Sequence, residues 1–176
     1  MERGACAISY DCSNHSRSSC DSGKQLMKLP FHWKSITGRF GTMSEYRRRN
    51  GMQPHSGVDF AQREGTPIPA LDRGTIVLQQ FSKVLGNVSV LRVLGHDPKN
   101  RKEKRELFYI GYCHLQSPGL PVGTKVNAGD TIGLVGNTGS ASTGAHLHMT
   151  VSKLVKGVFG ATSVKQDPIE FIKANK

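Results

Sequence analysis

The chain has 176 residues, with 24 Lys and Arg against 13 Asp and Glu, a formal charge of +11. That length fits one domain able to bury a core without disulfides, and no apolar run approaches the roughly 18 residues that would span a bilayer. The charge favours encounters with polyanions and says nothing about fold, while aromatic residues at only 7% argue against a base-stacking surface, so no specific nucleic acid is expected.

Residues 1–28 are rich in Ser, Cys and charge and read as a tail, poorly ordered or locally stapled. Cys6, Cys12 and Cys20 allow one disulfide with a thiol left over, or three free thiols. A metal knot using His15 has no C-x-x-C pair behind it. The stretch also lacks the 7–15-residue apolar segment of a secretory signal, which predicts another route of delivery.

The domain is expected over 29–176. Phe31 to Phe40 is an entry segment with one short strand. Ser56 to Ala61 is strand-like, with Val58 and Phe60 on one face. The two prolines of Gly65 to Ala70 suit an edge strand or a turn. Thr75 to Gln80 and Val88 to Leu94 are β-branched runs bounded by glycines, and Leu107 to His114 returns after a basic hairpin tip, Arg101 to Arg105. That tip and Arg47-Arg48-Arg49 read as solvated loops. Cys113 alternates away from its neighbours and reads as a buried, inert thiol. Val122 to Val126 and Thr131 to Val135 bracket Asn127-Ala128-Gly129-Asp130 as a hairpin. In the final strand Leu147, Met149 and Val151 alternate with His146, His148 and Thr150. Only Pro168 to Lys173 offers a helical turn, capped by Asp167. The fold class is therefore all-β.

Chemistry concentrates in the histidines. His15, His32 and His96 read as surface residues. His55 and Asp59 are four apart, a spacing that shares one face of a strand. His146 and His148 are a second same-face pair, with Cα atoms about 6.5–7 Å apart. Either spacing alone recurs by chance. Together with His114 they supply more donors than a three-ligand catalytic zinc shell needs, leaving imidazoles for proton transfer. A closed structural site would need no such surplus.

The order of blocks is more specific. His55-Ser-Gly-Val-Asp59-Phe60, Gly65-Thr-Pro-Ile-Pro-Ala70, Gly74-Thr-Ile-Val77, Tyr112-Cys-His-Leu115, Val126-Asn-Ala-Gly-Asp-Thr-Ile-Gly133, Gly136-Asn-Thr-Gly139 and Thr143-Gly-Ala-His-Leu-His148 follow one another. In this the chain resembles the lysostaphin-type, LytM-like zinc endopeptidases of peptidoglycan, over roughly residues 30 to 172. The resemblance implies a curved antiparallel sheet with a groove-like active site and long loops. It also implies one zinc ion held by His55, Asp59 and His148, with His114 and His146 as the catalytic pair. Two departures from the family pattern are Met149-Thr150 after the H-L-H block and the longer basic tip. Tyr46 stands where some relatives place a tyrosine near the oxyanion, at a spacing that fits poorly.

The expected activity is metal-assisted hydrolysis of stem or cross-bridge peptides in bacterial peptidoglycan. One of His114 and His146 would transfer the proton and the other would steady the oxyanion. The setting that fits is the periplasm or cell exterior, reached by phage-type release or from a virion, with the protein a monomer. The alternative is a non-catalytic relative that binds wall or activates an amidase. Such relatives usually lose metal ligands, whereas here every ligand position is filled.

Overall fold

A computed structural model describes residues 26–100 and 102–176. The tail cysteines Cys6, Cys12 and Cys20, and His15, lie outside the described residues. The strands in chain order are β1 (Ile36–Gly38), β2 (Val58–Ala61), β3 (Pro67–Pro69), β4 (Gly74–Ser82), β5 (Gly86–Gly95), β6 (Glu106–Leu115), β7 (Lys125–Val126), β8 (Thr131–Leu134), β9 (His146–Ser152) and β10 (Lys165–Gln166). Helices α1 (Glu45–Arg49) and α2 (Pro168–Ala174) are joined by short 3₁₀ turns such as Val155–Phe159. An eight-stranded sheet runs β1-β2-β9-β6-β5-β4-β7, with β10 also on β9, and β3 pairs with β8 in a two-stranded sheet. Every pairing is antiparallel. The molecule is mostly β, as its alternating and β-branched runs predict.

The sheet buries one face. Val58 and Phe60 of β2, Ile110 and Tyr112 of β6, and Leu147 and Met149 of β9 are all fully buried in the same cluster. Because β2 and β9 pair Asp59 with His148 and Phe60 with Leu147, burying the apolar set forces the polar set to the opposite face. The buried Tyr112 hydroxyl accepts the Leu71 N–H at 3.2 Å, so the core retains no orphan there. Met27, placed with the tail by its neighbours' composition, is also buried in this cluster and donates its N–H to Asn175 O. Helix α2 begins as expected, with Asp167 Oδ1 accepting the Ile169 N–H at 2.8 Å and Pro168 in the first turn. It seats Phe171 against Phe108, ring centroids 4.7 Å apart.

Two local expectations change. The strands flanking Asn127–Asp130 do not pair with each other: β7 pairs with β4 and β8 with β3. The turn itself forms, with Asp130 N–H donating to Asn127 O. Ala70 then holds it from both sides, through Ala70 N–H to Asp130 O and Gly129 N–H to Ala70 O, which sends the two arms to different sheets. Helix α1 was not anticipated. Its Ser44 cap is present in the sequence, but at 5 residues it carries too little periodicity to read. No helix among the described residues is long and apolar enough to cross a membrane.

Candidate active site

Three elements converge on the face opposite the core. His55 lies in the loop entering β2, Asp59 is in β2, and His146 and His148 are in the neighbouring β9. His148 Nδ1 is 2.7 Å from Asp59 Oδ1, His55 Nε2 is 3.1 Å from Asp59 Oδ2, and the two ring nitrogens are 3.1 Å apart. Four-coordinate ligands at zinc bond lengths of about 2.0–2.2 Å stand roughly 3.3 Å from one another, so this donor set fits one ion of that kind. Two imidazoles and a carboxylate are also the mixed nitrogen–oxygen set that zinc takes in catalytic sites. Among the described residues these three are the group of His, Cys, Asp and Glu close enough to hold a metal ion.

Glycines make the packing possible. A Cβ on Gly57 would lie 2.7 Å from His148 Cε1 and 2.4 Å from Met149 O. One on Gly38, the cross-strand neighbour of Asp59, would lie 2.4 Å from Asp59 Oδ2. His55 and His148 are 3% and 5% exposed, so their rings are held on nearly all sides.

Backbone carbonyls orient the rings. A carbonyl can only accept, so each contact places a proton on the imidazole nitrogen it meets. Arg39 O meets His55 Nδ1 at 3.1 Å, which leaves His55 Nε2 as a lone pair toward Asp59 and His148. Thr138 O meets His114 Nδ1 at 2.7 Å, and Gly144 O meets His146 Nδ1 at 2.7 Å, with Ser142 Oγ 3.3 Å from the same nitrogen. His114 and His146 therefore both present an unprotonated Nε2 in the neutral ring. His146 Nε2 is 3.8 Å from Asp59 Oδ1. The His114 ring centroid is 4.7 Å from that of His146 and 5.9 Å from that of His148.

His114 reaches this face by breaking the strand rule. Opposite Asn87 to Ser89 of β5, β6 runs from Leu115 to Tyr112, so it carries one extra residue, a bulge. Among the described residues His114 is the only non-glycine with positive φ, 61°. A non-glycine residue held there costs about 1–3 kcal/mol, which the surroundings must offset. Tyr112 and Leu115 can thus both be buried in the core while Cys113 and His114 turn outward. Cys113 pairs with His148 and sits in a small apolar cluster with Val88, Val90 and Val158. Burial pushes its thiol up to about 12, the inert state expected of it.

Charge follows burial. Burial pushes the Asp59 carboxyl up, but the adjoining His148 and His55 imidazoles outweigh it and hold it well below the usual carboxylate range. Burial lowers His114 to about 4, against the raising effect of its bond to Thr138. Burial likewise lowers His148, opposed by Asp59. A neutral imidazole is the form that can bind a metal or accept a proton.

The model of peptidase family M23 matches residues 53–168. The chain belongs to peptidase family M23. All five polar residues described above lie inside that span. Lysostaphin of Staphylococcus simulans is 34% identical over 120 residues, which are 68% of this chain and 22% of that protein. Peptidoglycan DD-endopeptidase ShyA of Vibrio cholerae is 32% identical over 122 residues, 69% of this chain and 23% of that one. The solved catalytic domain of S. simulans lysostaphin superimposes with a TM-score of 0.55 at 30% identity, covering 77% of this chain and 87% of that domain. The M23 chain thus spans under a quarter of either curated relative and most of the solved domain.

The other sequence candidates are accounted for locally. His32 caps the turn at Trp33–Ser35, accepting the Lys34 N–H, and His96 donates to Glu103 O. Tyr46 is on α1 and 67% exposed. What the residue pattern did not reveal is the orienting shell: Arg39 O, Thr138 O, Gly144 O and Ser142 Oγ. Backbone carbonyls leave no trace in residue type. The Gly136 to Gly139 stretch was visible only as one block of the family resemblance.

Proposed function

We propose that this M23 chain is a zinc-dependent endopeptidase that hydrolyses peptide bonds in bacterial peptidoglycan. The observation that carries the reading is the meeting of His55 Nε2, Asp59 and His148 Nδ1 at 2.7–3.1 Å, with His114 and His146 beside them, each anchored through Nδ1. The name of ShyA, a peptidoglycan DD-endopeptidase, supports the substrate class, and that of lysostaphin, an antimicrobial peptidase, supports the reaction.

His55, Asp59 and His148 would hold the ion. Bound there, zinc supplies Lewis acidity towards a peptide carbonyl and lowers the pKa of a water molecule. The remaining steps belong to the chain. One imidazole accepts the proton of the attacking water at Nε2 and returns it to the leaving amine; the other, protonated, donates to the oxyanion as the carbonyl becomes tetrahedral. Burial keeps His114 neutral before the reaction, with its Nε2 lone pair available. Thr138 O and Gly144 O hold the two rings in place, so no reorientation is needed during the reaction.

The surplus of positive charge supports approach to a wall rich in carboxylate and phosphate. The enzyme would act from the periplasmic or outer side of the wall, in a bacteriolytic setting such as phage lysis. Incubating the protein with purified peptidoglycan should release new amine termini, stop on chelation and resume with zinc. His114→Ala and His146→Ala should each lower the rate by about 10²–10⁴-fold while zinc stays bound. Wild-type turnover in either variant would refute the role given to that histidine. Undiminished turnover in metal-free protein would refute the metal.

A further inference from the structure

We propose that Thr138 is the positioning residue for His114: it both pins the bulge that turns the histidine outward and fixes which ring nitrogen carries the proton. This rests on the reading of His114 as a catalytic group. Bulging β6 at Cys113–His114 shifts its register with β5, and Thr138 spans the shift beside Asn87 Nδ2, which donates to Leu115 O at 3.2 Å. Its hydroxyl donates to Leu115 O at 2.7 Å and accepts the Asn87 N–H at 3.1 Å, joining the two strands across the gap. Its own carbonyl, 2.7 Å from His114 Nδ1, takes the ring proton. One residue therefore ties the backbone next to His114, at Leu115 O, and the imidazole of His114 itself, from 24 positions away in the chain.

The surroundings hold Thr138 in that place. Gly86 has a φ of +66°, and a Cβ there would lie 2.2 Å from Thr138 Oγ1 and 2.4 Å from Thr138 O. A Cβ on Gly139 would meet Gly86 N at 2.2 Å. The β4–β5 turn and the Thr138 loop are also zipped by Ser140 N–H to Lys83 O and Ala141 N–H to Val84 O, and the same turn accepts the His114 N–H at Leu85 O. Removing the hydroxyl deprives Asn87 N–H of its acceptor and lets the carbonyl move off His114 Nδ1. The neutral ring is then free to shift its proton to Nε2, the nitrogen that must be vacant to accept one.

A merely structural clamp would change stability without changing the ring. The zinc-loaded protein, labelled with ¹⁵N at histidine, separates the two through its two-bond ¹H–¹⁵N ring correlations, with His114→Ala assigning the signal. In the wild type the His114 ring should appear with its proton on Nδ1. Thr138→Val should populate the Nε2–H form and lower kcat on purified peptidoglycan by about 10–100-fold, the usual effect of losing an orienting partner, with KM unchanged. Thr138→Ser should restore both, and Thr138→Ala gives the same reading should the valine variant not fold. The proposal is overturned if the ring keeps its Nδ1 proton in the hydroxyl-less variant, whether kcat falls or not. Full activity in His114→Ala would instead sink the catalytic reading, while the ring spectrum still decides what Thr138 does.

Discussion

Gly38→Ala should damage the proposed metal site while sparing the fold. Gly38 faces Asp59 across the β1–β2 pair, and its added methyl would stand 2.4 Å from Asp59 Oδ2 and 3.1 Å from His55 Cε1. Ordinary contact begins near 3.4 Å, so the carboxylate oxygen must retreat by about 1 Å. Metal sites tolerate displacements of about 0.2 Å in a bond, so the donor set would no longer close on one ion. A loss of about 10–100-fold in zinc affinity, or ~1.4–2.8 kcal/mol, is the scale expected of a disturbed ligand. The fold should survive, because the nearest atom ends a side chain that can swing away. Gly38 is absent from the positive-φ residues, and alanine at a compatible position favours the folded state by about 0.4–1 kcal/mol. Competition for zinc against a chromogenic chelator measures the first effect, and urea denaturation of the metal-free protein measures the second. Gly144→Ala, where a Cβ meets nothing within 4 Å, is the control beside His146. Zinc affinity within about twofold of wild type in a folded Gly38→Ala would refute the reasoning.

Further outcomes follow from buried polar groups. Tyr112→Phe leaves the buried Leu71 N–H without its acceptor, and should cost about 1–3 kcal/mol in urea denaturation while peptidase activity is kept, since the hydroxyl lies on the core side. Asn175→Ala removes the side chain that accepts the His96 N–H at 2.7 Å and donates to His96 O and Phe171 O; it should destabilise by about 1–3 kcal/mol, and an unchanged thermal midpoint would contradict this. Lys165 is buried, donates to Ser56 Oγ at 3.0 Å, and burial lowers its pKa from 10.5 to about 8. Between those values the unfolded chain binds a proton that the folded chain does not, so stability should rise with pH from about 8 towards 10.5. Lys165→Met should flatten that rise, and an unchanged slope between pH 8 and 10 would show that the amine is not the cause.

Much of the fold was readable because burial and alternation agree. Val58 and Phe60 against Asp59, and Leu147 and Met149 against His146 and His148, divide the two faces by residue type alone, and two of the three proposed metal donors, Asp59 and His148, follow from that division, whereas His55 lies in the loop before β2. Pairing partners are another matter. Thr131 to Leu134 has the letters of a strand whichever neighbour it joins, and the partner was decided by backbone bonds from Ala70 to the Asn127–Asp130 turn. Local composition cannot express a choice made by a segment some sixty positions away.

His114 shows where periodicity fails. Strict alternation along β6 would put Tyr112 and His114 on one face, and Tyr112 is fully buried. A histidine following that rule would face the core, away from His146. The bulge escapes the rule at a cost of about 1–3 kcal/mol for the left-handed backbone, and three contacts repair it: Leu85 O on the His114 N–H, Thr138 O on its ring, and the Thr138 hydroxyl across the gap. None of those partners is a residue type that announces catalysis. The motif Tyr-x-His-Leu therefore named the residue, whereas its direction is a property of two loops meeting at Gly86 and Gly139. Substitutions in those loops should alter turnover before they alter metal binding, because they act on the ring of His114 and leave Asp59 and His148 in their strands and His55 in the loop before β2.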